Sequence, residues 1–231
     1  MKPEAPGNYT ALSGEEMDAF TAHCQAVLGE SQGVWHELVS ETVHLDILPF
    51  PPSDIRNAWT FITMGMSALH MKVPEAAEGA PRRIELMITL PHDWSKPQPG
   101  SVAVRFDDDE FVPIGAMKRL ARYVHEEATW FGHGHTVQWA FPEGHALSAF
   151  GGFLISAPAK CPPELASHVR PDGEEVGIFA LLPIYHEELA FKQASGADAL
   201  FKLVNRANLS DIIKPGRPSL LKQQRFWDRF K

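Results

Sequence analysis

The sequence is poor in cysteine: two in 231 residues, Cys24 and Cys161, far apart and in no CxxC pair. That excludes a zinc ribbon, a thioredoxin-type redox pair and a disulfide-stapled scaffold, and it fits a reducing compartment. Long apolar runs are missing too. No stretch approaches the ~20 apolar residues of a membrane-spanning helix. The richest, Phe150 to Ala159, is broken by Gly151, Gly152 and Pro158. The opening Met1-Lys2-Pro3-Glu4-Ala5-Pro6-Gly7 has no apolar core, so no secretory signal is expected. A cytoplasmic protein without membrane contact is the resulting expectation. Basic charge is also scarce. Lys and Arg number 21 against 29 Asp and Glu, a formal charge of −8, which opposes contact with nucleic-acid phosphates. No GxGxxG, GxxxxGK[ST] or GxSxG occurs, so dinucleotide, P-loop and serine-hydrolase chemistry lack their signatures.

What is present is globular in composition, with 44% apolar and 22% charged residues. A chain of this length hides roughly 70% of its unfolded surface and needs no staple to hold a core. The order of patterns predicts one α+β domain over residues 1–231. Ser13 and Glu16 form an S-x-x-E capping box, with Met17, Phe20, Cys24, Val27 and Leu28 at helical spacing and Gly29 as the stop. Val43, Leu45 and Ile47 then alternate with His44 and Asp46, and Pro49, Pro51 and Pro52 should end that strand. Trp59 to Met64 and Ile84 to Leu90 read as further strands. Asp107-Asp108-Asp109-Glu110 reads as a surface loop.

A helix should follow Pro113, with Ile114, Met117, Leu120, Ala121 and Val124 as its buried stripe. Residues 135–141, 152–156 and 176–184 read as strands, the last near-continuously apolar and therefore central. After Tyr185 the pattern is helical, with Leu189, Ala190, Leu200, Leu203 and Val204 as core positions and a break at Gly196. The predicted architecture is a mixed, mostly antiparallel sheet with flanking helices. Residues 220–231 form a basic, aromatic tail. It either packs its bases on the acidic body or docks an acidic partner.

One segment is dense in polar groups: His125-Glu126-Glu127-Ala128-Thr129-Trp130-Phe131-Gly132-His133-Gly134-His135. A metalloprotease needs HExxH on a helix, and here Thr129 stands where the second imidazole belongs. His133 and His135 share one side of a strand, so with His125 or Glu126 they offer a metal-dependent hydrolase as an alternative. A helix end followed by a glycine-rich turn accounts for the same residues without chemistry. His44 and Asp46 either line a cleft or form the solvated face of a strand. Tyr185-His186-Glu187-Glu188 reads as a helix start, with acids favoured by the dipole.

Five segments together carry a resemblance. They are His44-Leu45-Asp46-Ile47 to Pro52 with Thr60 to Ser67; Glu85-Leu86 to Trp94; Leu120 to Glu126 with Thr129 to His135; Leu182 to Leu200; and Arg217-Pro218-Ser219. In this order, over residues 43–219, the chain resembles the suppressor of fused (SUFU) domain family, with Tyr185 standing where that pattern expects threonine. The resemblance implies a mixed α/β sandwich without known catalysis or cofactor. It implies a protein partner held partly by strand pairing, and a transcription factor is the partner of the two-domain animal member. Bacterial single-domain members are similar to immunity proteins that silence a toxin. An acidic body suits a basic toxin. The candidate binding set is His44, Asp46, His125, Glu126, Thr129, Trp130 and His135, either as a recognition groove or as a buried network that holds the fold.

Overall fold

Ser13 and Glu16 close the reciprocal cap that their spacing predicts. The Ser13 N–H donates to Glu16 Oε2 at 2.7 Å, and the Glu16 N–H donates to Ser13 Oγ at 3.3 Å. They start α1 (Gly14–Leu28), which Gly29 ends at φ 89°. The second helix, α2 (Val112–Glu126), carries Pro113 in its first turn and buries Ile114, Met117, Leu120, Ala121 and Val124, as the apolar stripe requires. Gly196 divides α3 (His186–Ser195) from α4 (Ala197–Arg206). This is a computed structural model, and it describes residues 9–40, 42–94 and 111–222. The expected acidic loop 107–110, the aromatic tail beyond Lys222 and the opening segment lie outside the described residues.

Seven strands form one sheet: β1 (Asp46–Phe50), β2 (Ala58–Met64), β3 (Arg83–Pro91), β4 (Thr136–Gln138), β5 (Phe150–Ser156), β6 (Ser167–Val169) and β7 (Glu175–Tyr185). Their order is β1-β2-β3-β7-β5-β4, with β6 also paired to β7. Only the β3–β7 pairing is parallel among these strands. The fold class is therefore as read: α+β, mixed and mostly antiparallel. Alternation sorts the side chains into two layers. Ile47, Phe61, Leu86, Ile88, Phe153 and Leu181 face α2. Leu48, Ile62, Met87 and Ile178 face α1. Leu154, Leu182 and Ile184 lie on that same side and meet α3 and α4. Both faces of the sheet are thus covered, which is why β1, β2 and β5 are buried at every position.

Three expectations need correction. The first strand runs through Pro49 to Phe50. Ile47 and Pro49 turn their backbone away from β2, toward the segment around Trp35: the Ile47 and Trp35 amides bond each other's carbonyls, and Gln32 N–H reaches Pro49 O at 2.8 Å. The N–H that proline lacks would point outward, so no bond to β2 is lost. Ala190, expected in the core, is exposed, while the helix start read at Tyr185 to Glu188 is where α3 begins. Asp46, offered as part of a solvated strand face or a cleft wall, is 1% exposed.

Buried carboxylates tie distant segments together. Glu85 accepts from Thr63 Oγ1, Ser67 Oγ and the backbone N–H groups of Gly65, Met66 and Ser67, at 2.6 to 3.2 Å. Burial pushes its carboxyl up against the pull of these five donors. Gly65 sits at φ +131°, where a Cβ would come within 1.9 Å of His44 O, so only glycine serves in that turn. Glu188 holds the Arg217 guanidinium at 2.8 and 2.5 Å and accepts from Leu220 N–H. At Tyr185, Glu188 also takes the backbone N–H at 2.9 Å, while the phenol donates to Arg217 O rather than serving the helix. Cys24 and Cys161 are free, and burial pushes the Cys161 thiol up to about 11.

Candidate functional site

The exposed face of α2 and the edge of the sheet enclose three contiguous hollows. The first, about 540 Å³, is lined by Glu37, Val39, Lys118, Arg119, Arg122 and Trp139, with neighbours from α2 and the chain after β4. The second, about 600 Å³, shares Arg119, Arg122 and Trp139 and adds Tyr123, Glu126 and Gln138. The third, about 390 Å³, continues from Tyr123 to Thr129, Trp130, His135, Thr136 and Lys192. Together they run as one groove along β4.

Strand β4 is the last in the sheet, and no described strand pairs with its outer side. Its ladder to β5 uses alternate residues: Ile155 N–H donates to His135 O at 2.8 Å and Trp139 N–H to Gly151 O at 3.0 Å, with Val137 opposite Phe153. The antiparallel alternation therefore turns the N–H and C=O of Thr136 and Gln138 outward. Gly152 lets the two strands close up, since a Cβ there would sit 2.2 Å from Val137 O. Val137 and Trp139 pack on the α2 core and fix the strand's roll. The predicted strand 135–141 is thus real but only three residues long.

One end of the groove is built on a buried ionic network. Glu37 pairs with Lys118 at 2.7 Å and with Arg122, and accepts from Ser40 Oγ at 2.8 Å and Leu45 N–H at 3.1 Å. Burial pushes the Glu37 carboxyl up, but Lys118 and Ser40 outweigh it and hold it below the usual range. Burial lowers Lys118 in turn, opposed by Glu37. Behind them, Asp46 takes the Glu37 N–H at 2.9 Å and contacts His36 Nδ1 and His44 Nε2, each at 3.0 Å. This network pins residues 36–40 against α2. It leaves Val39 74% exposed on the groove wall, with the neighbouring Leu38 94% exposed.

The predicted site residues separate into three places. His44 and Asp46 belong to the network just described. His125 points the other way: its Nε2 lies 2.9 Å from Met66 O, clamping the turn that Glu85 organises, and burial lowers its pKa. Glu126, Thr129, Trp130 and His135 line the groove, with His135 edge-on to Trp130 at 4.2 Å. Burial lowers His135 as well, with Lys192 acting in the same direction. His133 stacks on Phe201 at 4.4 Å, away from His125. Among the described residues no group of three or more His, Cys, Asp or Glu could hold a metal ion, so the hydrolase alternative loses its ligand set.

Sequence reasoning missed Glu37, Lys118, Arg119, Arg122, Tyr123, Gln138, Trp139 and Lys192. A signal existed for part of them. Arg119, Arg122, Tyr123 and Glu126 recur at i, i+3, i+4 and i+7, a polar stripe beside the apolar one. Nothing in the spacing marks Glu37, whose partners are far away in sequence.

A family model described as Suppressor of fused protein (SUFU) matches residues 41–218. No curated protein matches the chain by sequence. Solved structures do. A suppressor of fused homologue from Neisseria gonorrhoeae aligns at 19% identity and TM-score 0.64, covering 90% of this chain and 98% of its own. A chain of a Sufu–Fu complex aligns at 14% identity and TM-score 0.63, over 90% of this chain and 93% of that one. Drosophila Suppressor of Fused aligns at 12% identity and TM-score 0.59, over 90% of this chain but 52% of its own. At these identities the structural matches speak for the fold. No helix among the described residues is long and apolar enough to cross a membrane.

Proposed function

The chain belongs to the suppressor of fused family, and from that footing we propose that it is a non-enzymatic protein-binding module that takes an extended segment of a partner protein into the groove between α2 and β4. The observation that carries the reading is the open outer side of β4. An unpaired strand edge beside an aromatic groove is the usual template for strand addition: main-chain bonds supply affinity and the groove walls supply selectivity. Tyr123, Trp130 and Trp139 give that groove the side chains most often found at interface hot spots. One solved relative is itself a complex, Sufu with Fu, which lends the reading a precedent in another protein.

In its finer form the proposal is an immunity-type role, in which the partner is a toxin that the chain holds silent in the cytoplasm. The test is recovery of the full chain from its source cell. One dominant protein should co-purify stoichiometrically and be released by Gln138→Pro, which removes an outward N–H and no bond to β5. Co-expression with that partner should relieve its toxicity. A partner with a nucleic-acid-binding domain and no toxicity would favour a masked transcription factor instead. A partner retained equally by Gln138→Pro would refute the groove.

A further inference from the structure

The chain as a whole is acidic, at −8, and on that ground alone its partner should be basic. The groove has the opposite sign. Its described lining holds four cations, Lys118, Arg119, Arg122 and Lys192, and two carboxylates, Glu37 and Glu126. Of the two, Glu37 is already engaged by Lys118 and Arg122. Arg119 is exposed and lies over the Trp139 ring at 5.8 Å, which holds a guanidinium at the rim where an incoming strand would pass.

Resting on the reading of β4 as a docking edge, we infer that the occupant is an acidic extended segment, with Asp or Glu on alternate residues, and that it is chosen by the groove's local positive charge rather than by the net charge of either protein. The spacing fits. Arg119 and Arg122 stand one helical turn apart, about 5–6 Å between Cβ atoms. Side chains two apart on a strand project from one face about 7 Å apart. A strand paired with Thr136 and Gln138 presents that face to the groove, where one carboxylate meets the exposed Arg119 and the next reaches Arg122 beside its Glu37 partner. Lys192 waits at the far end of the groove, beside His135. At the near end, exposed Val39 accepts an apolar residue that follows the acidic run. The acidic remainder of the surface repels the same segment elsewhere, so the charge contrast also sets the register.

Panning a displayed random-peptide library against the full chain tests this without knowing the natural partner. The enriched peptides should carry Asp or Glu at alternating positions. Replacing two of those residues by Asn or Gln, or making Arg119→Gln in the chain, should weaken binding roughly tenfold, less so in high salt. Gln138→Pro should abolish it. Neutral or basic winners that Gln138→Pro still abolishes would overturn the acidic inference while leaving the groove standing. Winners indifferent to Gln138→Pro would overturn both, and so would a library from which nothing is enriched.

Discussion

The main run of the sheet ends in β1 and β4, with the short β6 paired to β7 alone beside it, and the chain treats the two end strands in opposite ways. At β1 the segment around Trp35 folds back and bonds the edge through Ile47 and Pro49, with Trp35 packed against Phe61 and Phe111 at 5.3 and 5.9 Å. At β4 no described segment does this, and two residues keep their outward backbone groups. An exposed edge invites uncontrolled pairing, and proteins normally cover or blunt it. Among the described residues the fold closes the β1 edge with its own chain and leaves the β4 edge beside a groove. The short length of β4, three residues, limits promiscuous pairing while still offering a partner two rungs.

Mutations can break this contrast from either side. The largest effect belongs to the closed edge: Trp35→Ala removes the ring that seals it and should cost about 3 kcal/mol, read by urea denaturation. Next comes the turn that carries both the β1 approach and the α2 clamp. Glu85→Gln sets an amide N–H₂ against donors and should cost about 2 kcal/mol, with Gly65 and Ser67 amides losing protection in hydrogen exchange. Acid should act more gradually. Burial lowers the pKa of His23, His125, His133, His135 and His168 below the usual imidazole value of about 6.5. Their protonation therefore opposes folding. Stability should be complete above pH 6.5 and fall as pH drops toward the depressed folded values, with a shallower slope in His125→Gln. The smallest effect belongs to the open edge: Gln138→Pro should shift stability by less than about 0.5 kcal/mol, because the lost N–H serves no bond to β5.

Much of the fold was legible because its signals are local. The capping box at Ser13, the stripe of α2 and the alternation of β3 each lie within one element, and each proved correct. Failures came where a distant partner decides the outcome. Pro49 looks like a strand stop until the segment around Trp35 is seen to take the outward side. Glu188 reads correctly as an acid in a first helical turn, but its ion pair with Arg217, 29 positions away, has no local signal. The candidate site was half legible for the same reason. The 125–135 cluster pointed to the groove through Glu126, Thr129, Trp130 and His135, but His125 turned inward to Met66. The ionic end of the groove depends on Glu37, whose isolated carboxylate carries no pattern. The family segments make sense in this light, since Thr63, Gly65, Ser67, Glu85, Glu188 and Arg217 bond one another across the sequence. They hold the frame, while the segments 120–126 and 129–135 also supply groove residues such as Arg122, Tyr123, Trp130 and His135.

Amide hydrogen exchange at Gln138 tests the central claim most directly. In the free protein the Thr136 and Gln138 amides should exchange fast while Val137 and Ile47, their counterparts within ladders, stay protected; on adding the co-purifying partner, Thr136 and Gln138 should become protected as well. Slow exchange at Gln138 in the free chain, or no change when the partner binds, would contradict the account.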